Sequence, residues 1–104
     1  MEHHHYQLLQ RIRERPMIFI GKPSLKRLRH FLSGYVVCYH TVTGDNKFDI
    51  YPGFQKFVAK KYDISLSTHH TDIIYFMCLS DDEQAFYCFF ELLDEFLDLQ
   101  KNEG

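Results

Sequence analysis

Residues 72–79 read DIIYFMCL, and the fold class of this chain depends on how this stretch folds. The seven residues after Asp72 form a continuous apolar run, which over so short a length fits a buried helix and a buried strand equally well. No other segment offers a convincing strand partner. We therefore predict a helix capped by Thr68 or Thr71, and an all-α fold; a strand paired with residues 17–20 would instead make the fold α+β.

Three other helices are predicted upstream, from apolar residues that recur at helical spacing. They cover residues 6–14, 24–42 and 52–62. Pro16 stops the first of these helices, Ser24 is a good N-cap for the second, and Pro52 is well placed to start the third. The second helix ends before residues 43–47, where Gly and Asn tolerate the left-handed backbone that ends a helix.

The last helix is predicted from the sequence SDDE at residues 80–83, which has the form of a capping box led by Ser80. Its apolar face consists of Phe86, Phe89, Phe90, Leu93, Phe96 and Leu97. The opposite face carries an acidic stripe, which consists of Glu91, Asp94, Glu95 and Asp98. Like charges at this spacing cost a few tenths of a kcal/mol per pair, so the stripe is unfavourable unless something basic faces it.

These segments predict a single domain over residues 1–104, a compact bundle of four to five helices with at most a short extended piece at 17–20 or 64–67. A chain of 104 residues with 45% hydrophobic side chains can bury one core. Its longest apolar run is far short of the roughly 20 residues that cross a bilayer, and the N-terminus lacks a signal-peptide pattern. We therefore expect a cytoplasmic protein with no membrane partner.

The net charge of −2 hides a strong polarity along the chain. Residues 1–30 carry seven basic and two acidic side chains, whereas residues 80–104 carry eight acidic side chains and Lys101. This asymmetry indicates either an internal match between the first and last helices or a charged face kept for a partner. Direct nucleic-acid binding by the basic third is disfavoured because the pI is near 6.4 and the last helix would repel phosphates.

No catalytic residue, metal site or cofactor is predicted. The histidines of residues 1–5 fit a natural start or a cloning tag and are set aside, and His69 and His70 are adjacent in a loop and expected to point in different directions. The three cysteines are odd in number and lie among apolar residues, which predicts buried free thiols. The carboxylates of the last helix lie on its exposed face, and no phosphate-cradling glycine loop is present.

The segment RPMIFIG at residues 15–21 resembles the RPGMYIG segment in the ATPase domain of the DNA gyrase B subunit. That resemblance implies ATP binding. The chain, however, lacks that family's Asn-bearing magnesium helix and its D-x-G-x-G turn, and is about half the domain's size. We therefore interpret the match as local convergence, and residues 15–21 as a structural joint between two helices.

A second resemblance spans most of the chain. Its blocks are IRxRP at 12–16, FIG at 19–21, SLxxLxxFLxGY at 24–35, PGFxxFVAxKY at 52–62 and ExAFxxFFELLDEF at 83–96. In order and spacing they resemble small bacterial immunity proteins of the contact-dependent growth inhibition and polymorphic toxin type, although Met17 stands where such sequences often have a small residue. The resemblance implies tight binding of one cognate toxin domain, often a nuclease, and transfers no catalytic residue.

A nuclease must present basic groups to phosphate, so its inhibitor gains from presenting carboxylates. The residues expected to contact the toxin are Asp81, Asp82, Glu91, Asp94, Glu95 and Asp98. A small nucleotide- or nucleic-acid-binding regulator that uses the basic first third is the alternative hypothesis. A structural subunit that buries its aromatic face in a homo-oligomer is a third.

Overall fold

The computed structural model describes residues 3–45, 52–65 and 68–103, and within these ranges the chain forms six α-helices and no strand. They are α1 (His3–Glu14), α2 (Pro16–Phe19), α3 (Leu25–Thr43), α4 (Phe54–Lys61), α5 (His70–Met77) and α6 (Asp82–Glu103). The all-α prediction is confirmed. The predicted number of four to five helices is too low, because the segment after Pro16 is itself helical.

The turn α2 replaces the extended piece expected at residues 17–20. Pro16 both follows the first helix and opens the next one, since its fixed φ suits a first helical position and its missing N–H is not needed there. The backbone N–H groups of Ile20 and Gly21 both donate to the Pro16 carbonyl, at 2.8 and 3.1 Å. Residues 15–21 are thus a tight helical elbow between α1 and α3.

The middle helix α4 begins at Phe54, two residues later than predicted, because Gly53 adopts a left-handed conformation with φ +93° and acts as its N-cap. Of the other extended piece expected at 64–67, Ile64 and Ser65 have no regular structure, and residues 66 and 67 lie outside the described ranges. Asn46 and Lys47 of the predicted turn also lie outside them. Gly44 ends α3 in the left-handed conformation, as predicted.

The stretch that decides the fold class is helical. Residues 70–77 form α5, whose Ile73 and Ile74 are fully buried while Phe76 and Met77 are exposed. Its cap is neither of the expected threonines: the Nδ1 atom of His69 accepts from the backbone N–H of Thr71 at 3.2 Å. A helix with one buried side satisfies its own backbone, so no strand partner was needed.

The helix α6 forms the centre of the domain and packs against α3, α4 and α5. Its predicted apolar face is buried, apart from Leu97, which is half-buried. The predicted cap is displaced by one residue, because Asp81 and not Ser80 accepts from the backbone N–H of Gln84, at 3.1 Å. Ser80 lies in the preceding turn with φ +63°.

The expectation of buried thiols is wrong, and one of the histidines that were set aside is a structural residue. His5 belongs to the core: it is 1% exposed, its Nδ1 atom makes a short hydrogen bond with the hydroxyl of Tyr35, and its ring packs edge-on against Tyr35 and Tyr39. The cysteines are free, but Cys38 is exposed and the other two are only half-buried. Among the described helices, none is both long and apolar enough to cross a lipid bilayer.

Candidate functional site

The acidic stripe lies on the solvent side of α6, opposite the buried aromatic face, as its spacing predicts. Asp81 and Asp82 stand where the helix starts. Four of the six predicted contact residues, however, already have a partner inside the protein. The stripe is therefore partly neutralised by the rest of the fold, which sequence spacing alone does not reveal.

Asp94 forms an ion pair with Arg13 of α1. The two Asp94 carboxylate oxygens lie 2.9 and 3.1 Å from the two terminal guanidinium nitrogens, which is a bidentate geometry. The same guanidinium lies 5.4 Å from the ring centroid of the buried Phe90. Here the basic first helix meets the acidic last helix, so one part of the charge asymmetry is an internal match.

Glu95 is held by Lys61 at the end of α4. The Lys61 Nζ atom donates to both carboxylate oxygens, at 2.8 and 2.6 Å. This hydrogen bond raises the pKa of the Lys61 ammonium group. The pair lies at the surface, so its contribution to folding is small.

Asp82 joins the beginnings of two helices. Its carboxylate accepts a short hydrogen bond from the Ser24 hydroxyl and a second from the backbone N–H of Lys26, at 3.0 Å. Ser24 is buried and caps α3 by accepting from the backbone N–H of Arg27, at 3.1 Å. Because helix N-termini attract negative charge, one carboxylate stabilises the starts of both α3 and α6.

Among the described residues, Glu91 and Asp98 have no cationic partner, and both are exposed. Glu83 and Tyr87 continue the same face toward the start of α6, at spacings of four residues. Sequence reasoning overlooked both, although the i, i+4 spacing from Glu91 could have found them. Tyrosine is among the residues that are enriched in protein-binding surfaces.

A second feature was also overlooked, namely an apolar protrusion between α5 and α6. We call it the knob, and it consists of Phe76, Met77 and Leu79. The sequence marks these residues as apolar. Only the structure shows that they are exposed to solvent, a few residues before the exposed Asp81 and Glu83 along the chain.

The histidine pair at the start of α5 is part of the scaffold. The rings of His69 and His70 stack with centroids 4.3 Å apart, so they do not point in different directions. The Gln55 Oε1 atom accepts from the backbone N–H of His70 at 2.6 Å and lies 3.0 Å from its Nδ1 atom. Burial, aided by the neighbouring His69 and Arg29 charges, lowers the pKa of His70 to about 3, which keeps its imidazole neutral.

The half-buried thiols of Cys78 and Cys88 interact with each other. Burial and the adjacent Cys78 raise the pKa of the Cys88 thiol to about 11, so the reactive thiolate is disfavoured. Across the described part of the chain, no group of three His, Cys, Asp or Glu side chains is placed to hold a metal ion.

Several basic side chains of residues 1–30 already make contacts within the protein. Arg13 is paired with Asp94, Arg29 with Asp72 at 2.9 Å, and the Arg27 guanidinium donates to the Ile20 carbonyl at 3.0 Å. What remains is a shallow groove of about 260 Å³ at the elbow, lined by Arg11, Glu14, Arg15, Ile18 and Phe19.

Comparison of the chain with protein-family models, with curated proteins and with solved structures found no match.

Proposed function

We propose that this protein is an immunity protein, which binds a cognate bacterial toxin domain, best matched by a nuclease, and blocks its active site or its basic substrate groove. One observation carries the proposal. Between Lys61 and Lys101 the chain has nine carboxylates and no lysine or arginine, and the outward face of α6 is built from this stretch. The resemblance of the sequence blocks to immunity proteins supports the same function.

The physical basis is complementarity of charge. A nuclease has to concentrate positive charge in its groove to hold phosphates, so that groove is the natural target of a carboxylate surface. Long-range attraction accelerates the encounter of the two proteins and disfavours acidic partners. An inhibitor needs no chemistry of its own when it occupies the site where the nucleic acid would bind.

The six predicted contact residues differ in what the fold leaves to a partner. Glu91 and Asp98 have no cationic partner among the described residues, and Asp94 and Glu95 remain half-exposed in their ion pairs. Asp81 and Asp82 hold the start of α6, so changing them would alter folding and binding together. The cleanest test of the proposal therefore uses Glu91 and Asp98.

The test uses the C-terminal domain encoded by the reading frame next to this gene, with its nuclease activity as one readout and its Kd for this protein as the other. The double variant Glu91→Lys with Asp98→Lys is expected to bind at least tenfold more weakly and to inhibit correspondingly less. Glu14→Lys, an exposed reversal on α1, is the control and should bind as the wild type does. If both variants bind as tightly as the wild type, the interface lies away from α6. If the wild type does not bind the neighbouring domain, the proposed function is overturned.

The elbow groove favours a second candidate, a small regulator that binds a nucleotide or nucleic acid through Arg11 and Arg15. A thermal shift with ATP, or a salt-dependent gel shift with RNA or DNA, would support it. Both should be abolished by Arg11→Gln with Arg15→Gln. Absence of both signals in the wild type removes this candidate.

A further inference from the structure

The knob is set on a strained turn. After α5 ends, the Ser80 N–H donates to the Tyr75 carbonyl and the Leu79 N–H to the Phe76 carbonyl, both at 3.0 Å. This is the Schellman pattern of helix termination, in which the first residue beyond the cap is left-handed. That residue here is Leu79, with φ +54°, and Ser80 follows with φ +63°.

The other helix ends give this position to residues that tolerate it. The turn after α2 uses Gly21, the end of α3 uses Gly44, and the end of α4 uses Asp63. Asp63 makes the same pair of hydrogen bonds, from its own N–H to the Lys60 carbonyl and from the Ile64 N–H to the Ala59 carbonyl. Leucine is the poor choice among them, because its Cβ crowds the following carbonyl oxygen and its side chain cannot bond to the local backbone.

Burial does not compensate for this strain. Leu79 is 91% exposed and Phe76 is 72% exposed. Glycine at position 79 would relieve the backbone and would remove almost no buried contact. Folding stability therefore gives no reason for leucine here, whereas a side chain held outward by a rigid turn is suited to insertion into another molecule.

The charged residues around the knob indicate which kind of binding partner would fit it. The exposed carboxylates of Asp81 and Glu83 follow it directly, and the acidic face of α6 continues from there. Two cations of α3 reach α5, but Arg29 is paired with Asp72 and Lys26 lies over the ring of Tyr75, 4.6 Å from its centroid. An apolar centre with a carboxylate rim fits an apolar pocket that is bordered by lysine or arginine.

We infer that Phe76, Met77 and Leu79 are the apolar anchor of a protein interface, and that they insert into a pocket on a basic protein domain while Asp81 and Glu83 meet its basic border. The inference rests on the proposed function, because the basic domain is the toxin. The inference adds that the three knob residues supply most of the binding affinity. The acidic face of α6 steers the approach, and the knob slows dissociation.

The test compares two substitutions at equivalent turn positions, with the neighbouring toxin domain as the probe. Leu79→Gly is expected to raise Tm by about 4 °C, since strain is removed, and to weaken binding at least tenfold. Asp63→Gly should raise Tm by a smaller amount and leave Kd unchanged. A single substitution that improves stability and impairs binding is the signature of a residue kept for its partner.

Phe76→Ala provides a second measurement, because this exposed side chain can be shortened without opening the core; its Kd should also rise at least tenfold. If the wild type binds the toxin and both knob variants bind equally well, the anchor is overturned while the proposed function stands. If the wild type does not bind it, both fall together. Concentration-dependent self-association that Leu79→Gly abolishes, with toxin binding intact, would instead make the knob a contact between copies of this chain and overturn the inference.

Discussion

The elbow and the knob are exposed apolar turns whose neighbouring charged residues have opposite sign. Both turns need a left-handed residue after a helix, and they fill that position with different residue types. At the elbow, Met17 and Ile18 are exposed beside Arg11 and Arg15, and the left-handed position is taken by Gly21. At the knob, exposed apolar residues lie beside carboxylates and the left-handed position is taken by a leucine. The elbow is relaxed and the knob is not, which is why we propose that the acidic end of the molecule binds the partner.

The elbow is also completed by its own side chains. The Arg27 guanidinium binds the Ile20 carbonyl, and the Arg11 guanidinium lies 5.4 Å from the ring centroid of Phe19. These contacts use two of the basic groups that a ligand would need. A turn that satisfies itself is explained by folding alone, whereas the knob leaves its largest side chains unused.

The largest expected effect that sharpens this contrast is a dependence of folding stability on pH. It comes from His70 at the start of α5, whose neutral imidazole adds no positive charge to the acidic end of the molecule. Its pKa is lowered to about 3 in the folded protein, below the ordinary value of 6.5 in the unfolded chain. The unfolded chain therefore takes up the proton first, and stability that is complete above pH 6.5 is lost as the pH falls toward 3. Between pH 6.5 and 5 the expected loss is roughly 2 kcal/mol.

Urea unfolding at a series of pH values measures this loss. The His70→Gln variant, whose side chain does not titrate, should lack that part of the slope. His30→Gln, at an exposed position on α3, should keep it. Identical slopes for all three proteins would show that His70 is protonated in the folded state.

A substitution that strains the elbow should lower the free energy of unfolding by almost as much as this change of pH does. Gly21→Ala places a side chain on a backbone with φ +86°, and its Cβ would lie 2.5 Å from the Arg27 guanidinium nitrogen that binds Ile20. Strain and a weakened hydrogen bond together should lower the free energy of unfolding by about 2 kcal/mol.

Gly34→Ala is the matched control, because Gly34 lies within α3 and its added Cβ would meet no atom within 4 Å. This second substitution should stabilise the protein by roughly 0.5 to 1 kcal/mol. The signs are therefore opposite for the same chemical change, and denaturant titration separates them. A tolerated Gly21→Ala would mean that the elbow can adopt another conformation.

The smallest effect concerns the link between the basic and acidic ends. A double-mutant cycle of Arg13→Met and Asp94→Asn should give a coupling of about 0.5 kcal/mol, because both side chains are more than a third exposed. The coupling should decrease in 1 M salt. A coupling energy near zero would mean that Arg13 and Asp94 do not interact in solution.

The sequence predicted the elements better than their ends. The helix at residues 72–79 followed from the lack of a strand partner, and the acidic face of α6 followed from spacing. Pro16 was interpreted as a stop although it also starts α2, because local pattern does not show which of the two roles applies. Ser80 and Asp81 are both good caps in sequence, and only the left-handed turn before α6 decides between them.

The candidate site could be predicted only in part, since its decisive facts are long-range. Asp94 and Arg13 are 81 residues apart, and Asp82 and Ser24 are 58 residues apart, so neither pair is visible in a local pattern. The knob was missed for another reason. A continuous apolar run does not tell which of its residues point outward.

The bond between Ser24 and Asp82 has a consequence for how the protein is made. The cap of α3 is completed by a residue of α6, the last of the described helices along the chain, and α6 also supplies the surface on which α3, α4 and α5 pack. During synthesis the earlier helices contact one another but cannot complete their packing until α6 has left the ribosome. The fold is therefore completed only once α6 is available, and the acidic face of α6 takes its final place at the same time.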